Sequence, residues 1–359
     1  MTPPWQRRNP LGRPAPVGDT APMLPIRTAR STLRACTPDD APAVAAYHDD
    51  PGVARFQDWP LPVDAAAMRQ HFAAQPRGPE PGRWVQIAVE HDGEVVGDLA
   101  VGLDAAGHQA GIGYSFRADR QGRGLAREAV SALVDALLDG RGVHRITATL
   151  DPDNVRSAHL LEQLGFRYEG RSPSAALVRG AWLDDDRYAL LAADRDAWRA
   201  RPTGRPDDVA LVPVDASNTR TVWRLATHRS QERFVATTAV SFADALFPES
   251  VDGVPLVPWL RMITADGEPA GFLMLAEVTS TVPDPYLWRP LVDRRHQRRG
   301  IGARAIGLLA GRLREQGRTR LVTSWVEGPG GPEPFYRRLG FVPTGEVDDG
   351  ETVAALRLS

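Results

Sequence analysis

The chain has 359 residues, 42% of them hydrophobic and 25% charged, which is length enough for two domains of ordinary size with the composition of a globular protein. Its 43 basic and 45 acidic residues leave a formal charge of −2, so no net field draws it to nucleic acid or to an anionic membrane, and small molecules or peptides are the expected partners. A single cysteine, Cys36, forms no internal disulfide, and no window holds the roughly 18 consecutive apolar residues that span a bilayer. A cytoplasmic location is therefore expected. All 43 basic residues are arginine. Without lysine there is no Walker A lysine, no kinase strand lysine and no Schiff-base lysine for pyridoxal phosphate, so phosphate groups must be met by backbone N–H or by arginine. His144, His159 and His296 lack metal-ligand spacing, and no metal is expected.

Residues 1–26 read as a disordered tail: two adjacent arginines have no apolar stretch behind them, which argues against a Sec or twin-arginine signal, and Met23 is a second candidate start. A short strand follows at Ser31–Ala35, then a helix from Pro38 with aspartates for capping. Trp84–Glu90 and Val95–Val101 flank a His-Asp-Gly-Glu turn and predict a hairpin. Ala110–Phe116 is a strand that leads into a Gly-rich loop and an amphipathic helix through about Leu138. Arg145–Leu150 is a strand and 154–164 a helix. The stretch 199–208 loses hydrophobic periodicity and gathers prolines and a glycine, as a linker between domains at 27–198 and 209–359 would. The second half repeats the order: helix near 217–228, strands at 259–263, 270–276 and 286–292, a loop, helix 301–316, strand 320–326 and helix 333–339. This pattern implies an α/β fold with a mixed sheet, present twice.

The repeat is visible in the residues themselves. Gln121-Gly122-Arg123-Gly124-Leu125-Ala126 precedes Leu164-Gly165-Phe166, and Gln297-Arg298-Arg299-Gly300-Ile301-Gly302 precedes Leu339-Gly340-Phe341, at offsets of 176 and 175. A strand that ends in such a loop and opens a helix presents several backbone N–H groups at the positive end of the helix dipole, which is a cradle for a pyrophosphate. The glycines allow close approach, and Arg123 and Arg299 are placed to add charge. A tight strand-to-helix turn with no ligand is the competing reading. A Rossmann site is disfavoured, because the loops follow several strands and Glu128 is too near to serve as the acidic ribose ligand.

These residues resemble the GNAT superfamily of N-acetyltransferases over roughly 27–198 and 209–359. The first half is similar to RimJ/RimL-like enzymes through Thr28-Ala-Arg-Ser-Thr-Leu-Arg34, Ile112-Gly-Tyr114, the loop at 121–126 and Asp151-Pro-Asp-Asn-Val-Arg-Ser157. The second half resembles diamine and spermidine acetyltransferases through Arg233–Ala236, Gly271–Leu275, Tyr286–Arg289, the loop at 297–302 and Glu333–Phe341. The resemblance implies acetyl-CoA as cosubstrate and an amine as acceptor. It places cofactor binding at Phe116, Gln121, Gly122, Arg123, Gly124, Leu125 and Ala126, and at Leu291, Val292, Gln297, Arg298, Arg299, Gly300, Ile301 and Gly302. It also implies a strand bulge beside the thioester, where Gly113 and Pro290 stand.

Three catalytic roles then need residues: a base to neutralise the amine, oxyanion donors and an acid for the leaving thiolate. By resemblance Tyr336 is the acid of the second domain, with core packing against Leu339 and Phe341 as the alternative. Ser157 is the acid of the first, and Asn154 holds substrate or water, or is simply a helix N-cap. The glutamate that many relatives carry at the start of the fourth strand is absent, with Gly111 in one half and Leu287-Trp288 in the other. Asp98, Glu90, Glu277 and Glu327 are candidate bases, beside a route through bulk water. The run Arg294–Arg299 is assigned to CoA phosphates, not to nucleic acid. Trp59, Trp84, Trp182, Trp259 and Trp288 are candidates for acceptor pockets or for core. The expected activity is acetyl transfer to a primary amine, on a small molecule, polyamine, antibiotic or peptide N-terminus. One degenerate domain, or a non-catalytic CoA sensor or scaffold, are the alternatives.

Overall fold

The computed structural model describes residues 23–358, and the chain divides into two compact units, the first ending at Arg199 and the second beginning at Ala200. The expected tail lies outside the described residues up to position 22. Residues 23–26 depart from that expectation: Leu24 is buried in the core, Met23 and Ile26 pack against it, and Ile26 pairs with Leu33.

In the first unit the elements run β1 (Ile26–Arg27), β2 (Thr32–Ala35), α1 (Ala41–His48), α2 (Pro51–Ala54), α3 (Ala65–Ala74), β3 (Trp84–His91), β4 (Glu94–Leu103), β5 (Gln109–Phe116), α4 (Leu125–Asp135), β6 (Arg145–Leu150), α5 (Val155–Gln163), β7 (Arg167–Val178), β8 (Ala181–Leu191) and α6 (Ala192–Arg199). They build an eight-stranded sheet in the order β1-β2-β3-β4-β5-β6-β8-β7. The second unit runs β9 (Val209–Pro213), α7 (Thr219–Trp223), α8 (Thr238–Leu246), β10 (Ser250–Val251), β11 (Val254–Pro255), β12 (Val257–Ala265), β13 (Glu268–Glu277), β14 (Tyr286–Val292), α9 (Ile301–Glu315), β15 (Arg320–Trp325), α10 (Glu333–Arg338), β16 (Val342–Asp348) and β17 (Glu351–Arg357). Its main sheet has seven strands in the order β16-β17-β15-β14-β13-β12-β9.

Local chemistry explains the matching frames. The β3–β4 and β12–β13 hairpins turn on Asp92-Gly93 and Asp266-Gly267, and all four residues take positive φ, the backbone that suits a two-residue turn between right-twisted strands. In each unit one pair of neighbouring strands is parallel and pairs only briefly. β5 and β6 are bonded at Gln109↔Arg145, Ala110↔Ile146 and Gly111↔Thr147, and β14 and β15 at Tyr286↔Val322 and Leu287↔Thr323. Beyond those residues the strands part, and the Gly-rich loop and its helix lie past the end of the parting strand.

One sheet face buries the helix that follows the loop. Leu125, Ala129, Leu133 and Leu137 of the α4 region repeat at helical spacing against Leu99, Val101, Ile112 and Ile146, and Ile301, Ala305, Leu309 and Leu313 of α9 do the same against Leu273, Leu275 and Leu321. The other face is covered by α1 and α3 in the first unit, and by α7 with Leu225 and Phe242 in the second. The expected bulges fall differently. Gly113 lies opposite Ala100 in unbroken register, while in the second unit the register slips between Met274 and Leu275, leaving Trp288 unpaired two residues before Pro290. An added Cβ at Gly113 would meet Ala100 Cβ at 3.8 Å, an ordinary contact, so no crowding forces an extra residue into β5.

Leu133 is 1% exposed at the centre of the first core. Leu133→Ala is expected to lower unfolding free energy by about 2–5 kcal/mol in urea denaturation; a change below about 1 kcal/mol would show that α4 is not packed as described.

Candidate active site

The two Gly-rich loops are built alike. Gln121 Nε2 donates to Phe116 O at 3.0 Å, and Gln297 Nε2 donates to Val292 O at 3.1 Å, each tying the loop back to the strand it leaves. Gly124 and Gly300 are the N-caps of α4 and α9, with φ 78° and 79° in the left-handed region, and neither helix start is capped by a side chain. The first-turn N–H groups are thus left for an anion. Gly122 also has positive φ, and Arg298 adopts the same conformation at φ 64° in its place, so the loop keeps its shape where the glycine is missing. At Gly302 an added Cβ would lie 3.3 Å from Phe335 and 3.5 Å from Val292. That narrow passage borders an apolar cavity between β14, α9 and α10, lined by Pro290, Val292, Gly302, Ile306, Phe335 and Tyr336. A phosphate-bearing head on the loop and a slender chain beside it fit these residues.

Two cofactor-site expectations change. Arg299 is 5% exposed: its Nε donates to Gly204 O at 2.7 Å and its Nη1 to His296 Nδ1 at 2.8 Å, so its charge is spent inside the protein and not on a phosphate. Leu291 points to the opposite sheet face, into the cluster with Val222 and Phe272, while Val292 lines the cavity. The stretch 199–208 also differs from a free linker. Arg199 ends α6, and Gly204, Pro206 and Asp207 are bonded through their carbonyls to Arg299 and Arg304.

The hydroxyls at the parting strands come from different positions in the two units. In the first, Tyr114 of β5 and Ser157 of α5 are hydrogen-bonded at 2.7 Å, with Tyr114 Oη also 3.3 Å from Ser157 O. Burial pushes the Tyr114 phenol above its usual range, although the bond to Ser157 works the other way. Asn154 is the N-cap of α5: its Oδ1 accepts from Ser157 N at 3.2 Å, which fixes Ser157. In the second unit Tyr336 takes the place of Leu161 in the repeat. It stacks on Trp325 at 5.4 Å and meets Phe335 and Phe341 edge-on, so it is a core residue as well as a wall of the cavity. Burial raises its phenol too, against a bond to Thr323.

The opposite face of β4–β5 in the first unit carries a polar group that the sequence did not single out as a set. Asp98 is 4% exposed; its Oδ1 accepts from Tyr47 Oη at 2.6 Å and lies 2.9 Å from His48 Nε2, and its Oδ2 accepts from Gln86 at 3.3 Å. His48 stacks on Trp59 with centroids 3.9 Å apart, which places Trp59 in this cluster. Asp98 sits opposite Ser115, one row from Ala100↔Gly113 and two from Gly102↔Gly111. Trp84 lies across that last row. A Cβ at Gly111 would come within 3.0 Å of its ring, so the indole occupies the space a strand-four glutamate would need. The other candidate bases are engaged: Glu90 with Arg34, Glu277 with Arg312, and Glu327 with the Thr352 hydroxyl. Trp259 is held between Arg261 and Arg312, Trp288 packs in the second unit's outer cluster, and Trp182 is exposed on β8. The second unit's corresponding face carries the ion pair Arg289–Asp244 among apolar residues. Among the described residues no group of three or more metal-ligating side chains occurs, and no helix is long and apolar enough to cross a membrane.

Comparison with known proteins agrees with this geometry. The acetyltransferase (GNAT) domain model matches residues 30–167, and the acetyltransferase (GNAT) family model matches 221–341. An N-acetyltransferase of Bacillus licheniformis, p20, is 30% identical over 173 residues, covering 47% of this chain and 97% of its own. The ribosomal protein uS5-alanine N-acetyltransferase of Escherichia coli is 38% identical over 87 residues, 24% of this chain and 45% of that protein. Among solved structures, Mycobacterium smegmatis RimJ in complex with CoA-disulfide shares 28% identity over 48% of this chain and 90% of that one, with a TM-score of 0.43. The chain belongs to the GNAT family of acetyltransferases and carries two of its domains in tandem.

His296 offers a check on the second loop. Burial, then Arg299 and Arg295, hold its imidazole below the usual value of 6.5, with Asp293 pulling the other way. It therefore stays neutral in the fold, and the unfolded chain takes the proton first as pH falls. Its contribution to stability is complete above about 6.5 and is lost on acidification below that value. Urea midpoints followed from about pH 7 to about 5 are expected to decline more steeply in the parent than in His296→Gln; parallel declines would remove His296 from this role.

Proposed function

We propose that the chain transfers an acetyl group from acetyl-CoA to a primary amine of a small molecule, a polyamine, an antibiotic or a peptide N-terminus, and that the transfer takes place in the first unit. The observation that carries this reading is the Tyr114–Ser157 hydroxyl pair, 2.7 Å apart where β5 and β6 separate, with an uncapped helix start at one end and the buried Asp98–His48 pair on the other sheet face. When bound, acetyl-CoA supplies the thioester carbon that the amine attacks and the thiolate that leaves. The N–H groups at the start of α4 hold the pyrophosphate. Ser157 gives its proton to the departing sulfur and recovers one through its bond to Tyr114, whose phenol, which burial holds in the protonated form, takes a proton back from solvent as CoA leaves. The amine's proton goes to the Asp98–His48 pair, which Tyr47 and Gln86 orient.

In the second unit the same face offers Asp244 already paired to Arg289, and its hydroxyl, Tyr336, is locked among aromatic rings. That observation favours a second unit that binds the cosubstrate and has weaker means of moving protons. The identity of the amine rests on loops that vary freely within this fold.

Thiol release from acetyl-CoA, measured with a panel of polyamines, aminoglycosides and N-terminal peptides, tests the reading. Ser157→Ala is expected to lower kcat by about 10²-fold with little change in the KM for acetyl-CoA, and His48→Gln to lower kcat/KM by a similar factor. If no amine releases thiol above background while CoA still binds, the chain is a CoA sensor or scaffold.

A further inference from the structure

The two loops share a backbone but differ in charge, and the difference originates in the segment leading into each unit. In the first unit Arg30 lies over Gly124, with its Nη2 3.5 Å from where a Cβ would stand. Its guanidinium is already committed: Nε donates to Glu128 Oε2 at 2.7 Å and Nη1 to Arg123 O at 3.0 Å. Glu128, in the first turn of α4, also accepts from Thr28 Oγ1 and Arg30 N. Partial burial works the other way, yet these bonds hold its carboxyl below its usual range. The arginine here is part of a neutral clasp.

The same offset of 175 residues leads from Arg30 to Arg205, and 176 leads from Glu128 to Arg304. Arg304 cannot clasp a guanidinium; it donates instead to Pro206 O at 2.6 Å and to Asp207 O at 2.9 Å. Arg299 holds Gly204 O from the other side at 2.7 Å. Three guanidinium–carbonyl bonds thus fasten the residues on either side of Arg205. Arg205 itself is exposed, and its Nε lies 3.6 Å from the Cβ position of Gly300, the N-cap of α9.

We propose that Arg205, delivered by the 200–208 segment, is a direct ligand of the cosubstrate pyrophosphate in the second unit, and that the two loops therefore bind CoA unequally, the second more tightly and with a steeper dependence on salt. This rests on the reading that both loops hold CoA. The first loop offers backbone N–H groups and the clasped Arg30. The second adds a guanidinium that, among the described residues, has no carboxylate bonded to it, carried on a backbone segment that its neighbours hold in place. Arg205 lies at the helix start, so its contact is with the pyrophosphate shared by CoA and dephospho-CoA.

The test isolates one loop at a time. Ala126→Glu closes the first, since it corresponds to Gly302 in the repeat and puts a carboxylate in the first turn of α4. Gly302→Glu closes the second. CoA binding is then measured by calorimetry in the full chain. The Ala126→Glu chain is expected to bind one CoA more tightly than the Gly302→Glu chain does, and to lose affinity faster as KCl is raised. Adding Arg205→Ala to Ala126→Glu is expected to weaken both CoA and dephospho-CoA by about tenfold, the size of one charge-assisted contact, and to flatten the salt dependence, with an unchanged unfolding midpoint. Arg205→Ala binding within about twofold of its parent, or more tightly, overturns the proposal, the latter making Arg205 an obstruction of the loop. A loss seen with CoA but absent with dephospho-CoA also overturns it, by moving the contact to the 3′-phosphate. If the Ala126→Glu chain binds no CoA, the reading beneath this inference fails for the second unit, and the proposal with it.

Discussion

A glycine in the left-handed conformation, set directly before a helix and just past the point where two parallel strands stop pairing, is the constraint on which the rest depends. At Gly124 and Gly300 the backbone turns from strand to helix without a capping side chain, whereas a capping hydroxyl or carboxylate would satisfy N–H groups that are otherwise open to an anion. The short ladders of β5–β6 and β14–β15 leave room beside the loop for a slender chain to run into the sheet. From the next helix, Ser157 of α5 bonds Tyr114 of the parting strand in the first unit, and Tyr336 of α10 lines the cavity in the second. The strand order places that helix directly after the parted strand in both units.

The two units keep this constraint and differ in what they spend around it. A carboxylate buried like Asp98 is tolerable only because Tyr47, His48 and Gln86 all reach it, since an unpaired buried charge is heavily penalised. Packing alone would be served as well by an apolar side chain on that face, as it is in the second unit, where Phe272, Met274 and Leu291 fill the equivalent layer. Keeping a satisfied proton-bearing set in one unit and an apolar layer in the other divides the labour. On the proposed reading protons move in the first unit, and anion binding in the second is reinforced by Arg205, whose backbone Arg304 fastens where the first unit has the Arg30–Glu128 clasp.

Much of this was legible in the sequence, and what was missed has physical reasons. The paired loops, their helices and the first unit's hairpin on its Asp-Gly turn follow from backbone conformations that few residues allow, and they are visible in the sequence. The hairpins β7–β8 and β16–β17 were not, because Gly170, Pro173 and the positive φ of Ser174 interrupt the alternation of β7, and the register shifts there. α8 escaped because its run is short and its exposed face carries Val240 and Leu246. The set around Asp98 was only partly visible. Asp98 was a candidate, but Tyr47 and His48 lie some fifty residues away on another element and join it only through the fold. Arg205 could have been found from sequence alone by carrying the 175-residue offset upstream of the loop, since it matches Arg30. The segment's prolines and glycine suggested a linker, and the carbonyl bonds that hold it follow from tertiary structure alone.

The division of labour is tested most directly by comparing amine-dependent thiol release in the two chains that each retain a single open loop. With the first loop closed by Ala126→Glu, turnover is expected to fall by at least about 10²-fold, the share a positioned acid and base contribute, while Gly302→Glu retains most of it. The reverse pattern, with Ala126→Glu active and Gly302→Glu silent, would place the chemistry in the second unit and contradict the account.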